Sequence, residues 1–148
     1  MKGLNGWAGR ILDVDLPTGK IRTEPLPKEW TTKYIGGNGF GARVLYDEVG
    51  PEVDPFSTEN VVIIAVGPLN GTLAPSSSRC ELMTKSSLTG ILARSNVGGT
   101  FGAKMKLAGY DLIIIRGKSE KPVYMWIDDD DVEIRDGSHL WGQDVWKT

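Results

Sequence analysis

The sequence predicts an α+β domain, a mostly antiparallel β-sheet with a few short helices. Three observations predict it. Apolar and polar residues alternate in short runs, as half-buried strands require. Most of these runs are joined by tight turns rich in Gly, Pro, Ser and Asp, which pair neighbouring strands antiparallel. Helical spacing of apolar residues is confined to three short stretches, too few for the crossovers of a parallel sheet.

Along the chain, Arg10–Leu16 (RILDVDL) alternates and is followed by the turn Pro17-Thr18-Gly19. Lys20–Thr23 returns, so the first unit reads as a hairpin. Lys28–Ile35 follows Pro27 and precedes Gly36, which suits a short helix. Gly36–Gly50 (GGNGFGARVLYDEVG) reads as a glycine turn feeding a second helix, with Phe40, Val44 and Leu45 as its apolar stripe. Val61–Val66 (VVIIAV) is an uninterrupted apolar run, the pattern of a buried strand. It enters GPLNGTLAPSSSR, a loop by its Gly, Pro and Ser content. Cys80–Lys85 and Ile91–Ser95 are strands around the turn Ser86–Gly90, and Asn96-Val97-Gly98-Gly99 breaks the pattern. Thr100–Ala108 carries Phe101, Met105 and Ala108 at helical spacing and stops at Gly109. Asp111–Arg116, Val123–Asp128 and Val132–Arg135 complete a set of about eight strands and three helices.

A chain of 148 residues with 40% hydrophobic residues can bury one core. Lys+Arg (17) and Asp+Glu (19) nearly balance, so no basic excess points to nucleic acid. The apolar runs Val61–Val66 and Leu112–Ile115 are too short to span a bilayer, and MKGLNGWAGR has no apolar leader segment. One cysteine, Cys80, allows neither an internal disulfide nor a cysteine-ligated cluster from this chain alone. A cytoplasmic setting is expected. LWGQDVWKT ends the sequence with Trp141 and Trp146, aromatic bulk that further protein would normally cover. Residues 1–148 therefore read as one domain, incomplete at its C-terminus.

The arc from Gly67 to Gly102 is the best candidate for chemistry. It holds GPLNG, SSSR and ARSNVGGTFGAK. Gly98 and Gly99 lack a Cβ, so a ligand can approach their backbone amides. The helix opening near Thr100 adds unpaired N–H groups. Arg79 offers a bidentate fork for a phosphate, and Asn96 can donate or accept. The competing explanation is that these glycines only let a helix and a strand pack closely, and spacing alone does not choose between the two. GGNGFG (Gly36–Gly41) resembles a dinucleotide fingerprint, but it follows a helix instead of a strand; a tight turn or a pocket wall fits better. His139 has no carboxylate–nucleophile set near it and reads as structural. Asp128–Asp131 lacks the spacing of a calcium loop and reads as a solvated turn. Cys80 reads as a small buried hydrophobe.

Taken in order, GRILDVDLPTGKI, YIGGNGFGARVLYDEV, DPFSTENVVIIAVGPLNGTLAPSSSR, TKSSLTGI, SNVGGTFGAKMKLAGYDLIIIRGKSEKPVYMWI and VEIRDGSHLWG are similar to the start of aldehyde:ferredoxin oxidoreductases. The resemblance runs from Gly6 to about Trp146. It implies an N-terminal, mostly β base on which a bis-pterin cofactor lies. In such enzymes tungsten is held by dithiolene sulphurs, the pterin phosphates meet at magnesium, and a [4Fe–4S] cluster passes electrons to ferredoxin as aldehydes become carboxylic acids. Molybdenum in place of tungsten stays open. The positions that match the family's pterin-phosphate contacts are Arg79, Asn96 and Gly98. The cluster cysteines and acid–base residues of such an enzyme have no counterpart here. No side chain of this chain is expected to be catalytic or to ligate the tungsten, Asn96 is expected to meet the phosphate and magnesium region, and the chain alone is expected to be inactive. One departure is Asn38, where relatives often carry arginine in the glycine turn.

The partners this implies are the remainder of the enzyme or a complementary subunit, and ferredoxin for the complete enzyme. Neither nucleic acid nor membrane is expected; an open sheet edge and the aromatic tail would allow a homo-oligomer. Two other readings remain open: a stand-alone module binding a phosphorylated pterin-like ligand, and a non-catalytic subunit.

Overall fold

A computed structural model of the chain describes residues 5–148. Among them are the strands β1 (Arg10–Asp15), β2 (Lys20–Pro25), β3 (Val61–Ala65), β4 (Cys80–Lys85), β5 (Leu92–Val97), β6 (Leu112–Arg116), β7 (Val123–Asp128) and β8 (Asp131–Asp136). The α-helices are α1 (Lys28–Lys33), α2 (Asn38–Glu48) and α3 (Phe101–Leu107). Six strands form one sheet in the order β2-β1-β6-β3-β4-β5, while β7 and β8 make a separate hairpin. All pairings are antiparallel except β1 with β6. The expected α+β class, mostly antiparallel sheet with short helices, is what the chain adopts.

The sheet is covered on both faces, and the strand sequences show why. Along β3, Val61, Ile63 and Ala65 point into one core and Ile64 into the other, which calls for apolar residues at successive positions, while Val62 is exposed. β6 repeats this, with Leu112 and Ile114 on one side and Ile113 on the other. The first core lies under α2, which presses Phe40 and Val44 against Met83 of β4; Trp30 of α1 packs at its margin. The second lies under α3 and the β7–β8 hairpin, where Met105 and Tyr110 meet Leu12 and Val14. Burial is densest at the sheet centre and thins towards β5, whose residues are exposed or half-buried.

Two departures from the sequence expectation have physical causes. β5 runs on through Asn96 and Val97, because Cys80 and Glu81 of β4 pair with Val97 and Asn96. The ladder carries the strand up to the glycine pair and overrides the weak local pattern. The parallel β1–β6 pair joins segments about a hundred residues apart, and no local turn signals it. Trp141 and Trp146 are exposed, as the composition of the tail suggested. Among the described residues no helix is long and apolar enough to cross a membrane.

Candidate functional site

β4 and β5 build the site. Residues directly opposite each other in an antiparallel pair share a face. Glu81 opposes Asn96 and Met83 opposes Arg94. The last pair is Cys80–Val97; Arg79 immediately precedes it on one side and Gly98 immediately follows it on the other. Asn96 stands on the face of Met83, which α2 covers, and Arg79 and Gly98 flank the same end of this strand pair. All three are exposed. The intervening residues Cys80 and Leu82 turn the other way, into the second core.

Arg79 is placed by its backbone. Asn70 is buried; its amide donates to the Arg79 carbonyl (2.9 Å) and accepts from the Gly67 N–H (2.9 Å). Both arms of the Gly67–Arg79 loop are therefore clasped by one side chain, while the guanidinium has no carboxylate within ion-pairing distance among the described residues. Asn96 Nδ2 donates to Glu81 Oε2 (3.1 Å), which leaves the Asn96 amide oxygen facing outward as an acceptor. With its amide oriented to suit both neighbours, Asn38 at the start of α2 donates to the same Glu81 Oε2 (3.1 Å) and accepts from the Arg94 guanidinium. Two amides thus hold the Glu81 carboxylate beside the N-terminus of α2, where negative charge is stabilised.

The glycines divide by cause. A Cβ at Gly102 would meet the Ser78 carbonyl oxygen at 2.5 Å, so this glycine lets α3 lie close to the strand. Around Gly98 and Gly99 no heavy atom lies within 4 Å of a Cβ position. Gly99 needs to be glycine for its φ of +75°, whereas Gly98 is under no such backbone demand. Close packing therefore explains Gly102 and does not explain Gly98. The helix contributes less than its sequence suggested: α3 has seven residues and Thr100 makes no side-chain cap. Arg79 and the open glycine backbone are what this arc offers an anion.

The other sequence candidates are resolved by their surroundings. Gly36–Gly41 is a tight entry to α2; a Cβ at Gly41 would run into the Met83 side chain. Cys80 is buried, and loss of hydration there pushes its thiol pKa up, away from reactivity. His139 is exposed in the short 3₁₀ turn Ser138–Leu140, edge-on to Tyr124 at 6.4 Å. Among the described residues no group of three His, Cys, Asp or Glu could hold a metal ion. Sequence reasoning missed Arg94 and Glu81. A hairpin register counted through the Ser86–Gly90 turn places both on the site's face, but it requires β5 to extend to Asn96.

The family model for the aldehyde ferredoxin oxidoreductase N-terminal domain matches residues 11–148. The chain belongs to that family. The tungsten-containing aldehyde ferredoxin oxidoreductase of Pyrococcus furiosus is 49% identical over 95% of this chain, and that of Pyrococcus abyssi 50% over 97%. The aliphatic sulfonate oxidoreductase WOR-like subunit of Pyrococcus furiosus is 38% identical over 92%. Among solved structures, the active site complex BamBC of benzoyl coenzyme A reductase superposes with a TM-score of 0.94 at 44% identity, over 97% of this chain. The chain spans 23% and 24% of the two aldehyde enzymes and 22% of the BamBC chain. Within this aldehyde ferredoxin oxidoreductase N-terminal domain, a cationic fork, an outward amide oxygen and an unobstructed glycine backbone stand together. That donor set suits a phosphate-bearing group with a cation at its side.

Proposed function

We propose that this domain is the base that seats the phosphate end of a tungsten- or molybdenum-bearing pterin cofactor, as part of an enzyme that oxidises aldehydes to carboxylic acids. The observation that carries the reading is Gly98: an exposed glycine with ordinary backbone geometry and empty space where a side chain would stand, at the same end of the β4–β5 pair as Arg79, which has no carboxylate partner among the described residues. Nothing in the fold of the described residues asks for glycine there; a bulky ligand lying against the backbone does. The aldehyde assignment draws on the names of the relatives at 49% and 50% identity.

Arg79 would neutralise phosphate charge through a two-pronged hydrogen bond. Asn96, with one N–H committed to Glu81, would present its oxygen to a cation accompanying the phosphate, magnesium being the expected ion. Gly98 would let the ligand reach backbone depth. The cofactor, when bound, would supply the two-electron redox chemistry, its metal held by its own sulphurs and by no side chain of this chain. The iron–sulphur cluster and the ferredoxin contact would belong to protein outside this domain.

The test is tungsten and pterin content after anaerobic expression of the complete enzyme. Arg79→Gln and Gly98→Val should each lower cofactor content several-fold, and His139→Ala should leave it unchanged. Equal content in all three variants would refute the seat.

A further inference from the structure

The described residues include seven arginines, and five are ion-paired. Arg10 pairs with Asp130, Arg22 and Arg116 with Asp13, Arg43 with Asp47, and Arg135 with Glu133. The two left without a carboxylate partner among the described residues are Arg79 and Arg94. Arg94 stands on β5 on the face of Asn96, and Arg79 directly precedes β4 at the end of the pair where Gly98 follows β5.

Arg94 is not simply extended into solvent. Its guanidinium donates to the Asn38 amide oxygen, and the other end of that amide is fixed on Glu81. Glu81 makes no salt bridge among the described residues; its carboxylate is held by the amides of Asn96 and Asn38. The network therefore holds a second cation over the seat without quenching it. Arg94 opposes Met83, four residues along β4 from Arg79. At the rise of an antiparallel strand, that puts the two backbones about 14 Å apart along the sheet. A lone phosphate at Arg79 would leave Arg94 unused, whereas an elongated ligand would meet both. A guanidinium matches a flat heterocycle well, because its fork can donate to a ring carbonyl and its plane can stack on the ring.

We propose that Arg94 is the second anchor of this seat, holding the heterocyclic end of the ligand whose phosphate Arg79 holds, with Asn38 as the residue that positions it. The assignment rests on the phosphate-seat reading above and extends it to the other end of the ligand. It also gives the Asn38 position a role: a short amide there leaves room for an arginine arriving from β5.

The test is fluorescence titration of the full chain with an oxidised pterin monophosphate, beside titration with inorganic phosphate followed by phosphorus NMR. Arg94→Gln, an exposed change on an edge strand, should raise the pterin monophosphate Kd about tenfold, the scale of losing a charged hydrogen bond, and leave inorganic phosphate binding unchanged. Arg79→Gln should weaken both ligands. If Arg79→Gln weakens both while Arg94→Gln changes neither, the seat stands and the second anchor is wrong. If Arg94→Gln weakens inorganic phosphate as much as the pterin compound, Arg94 is a phosphate contact and the proposal fails as stated. If Arg79→Gln is silent, or the unaltered chain binds neither probe at millimolar concentration, the seat and the anchor fall together.

Discussion

A side chain at Gly102 would collide with the Ser78 carbonyl oxygen at 2.5 Å and the Asn70 amide nitrogen at 2.9 Å, while one at Gly98 would touch nothing within 4 Å. These two glycines, four residues apart, should answer mutation differently. Gly102→Ala is expected to destabilise the fold by about 1–3 kcal/mol, the range for forcing extra volume into a packed site. Gly98→Ala is expected to stay within about 0.5 kcal/mol, as for an exposed position free of special contacts. Urea unfolding of both variants checks this, and similar losses would remove the distinction on which the site assignment depends. The same contrast shows why the sequence alone left the glycine question open. Both residues lie in the glycine-rich arc that could serve either packing or a ligand; only their surroundings separate a packing glycine from one that faces open space.

Between elements, the site depends on a buried polar chain at the other end of the loop. Asp111, just before β6, is fully buried; it accepts from the Ala8 N–H (3.1 Å) and the Gly9 N–H (2.6 Å) and pairs with Lys106 of α3. Burial lowers the Lys106 pKa against the opposing pull of Asp111, and its ammonium also lies 4.7 Å from the Trp7 ring centroid. Lys106 donates to the Gly67 carbonyl (3.3 Å), and Gly67 is joined through Asn70 to Arg79. α3, β6, the N-terminal segment and the site loop are thus tied at one point. Asp111→Ala leaves Lys106 nearly buried and unpaired, and should cost about 3–5 kcal/mol. Hydrogen exchange should show the amides of Ala8, Gly9 and Gly67 losing protection together; loss at Ala8 and Gly9 alone would break the link to the site. Most of the elements were legible from alternation and turn residues. The end of β5 was not, because Asn96 and Val97 are held in the strand by β4 and not by their own pattern.

At the scale of the whole molecule, the surface carries apolar groups that this chain does not cover. Leu73, Leu88, Trp141 and Trp146 are among its most exposed residues. The chain also spans less than a quarter of the solved BamBC chain that it superposes on. Relatives named for aldehyde, aliphatic sulfonate and benzoyl coenzyme A chemistry match this domain at 49%, 38% and 44% identity. The 148-residue chain alone is expected to show no aldehyde-dependent reduction of a viologen dye under anaerobic conditions. Measurable turnover would contradict the proposal that it is a seat that leaves substrate chemistry to other protein.

Local sequence determined the strands and helices, the mostly antiparallel character, the family, and the grouping of Arg79, Asn96 and Gly98 as one candidate arc. The elements and their pairing follow from side-chain periodicity and backbone conformation, which act over a few residues; the family follows from the resemblance of whole blocks of sequence in order. Tertiary structure decided the parallel β1–β6 pair, the length of β5, the emptiness around Gly98, and the arrival of Arg94 beside Asn38 and Glu81. Each of these depends on which distant segment a strand or side chain meets, and such a meeting is set by packing across the whole sheet.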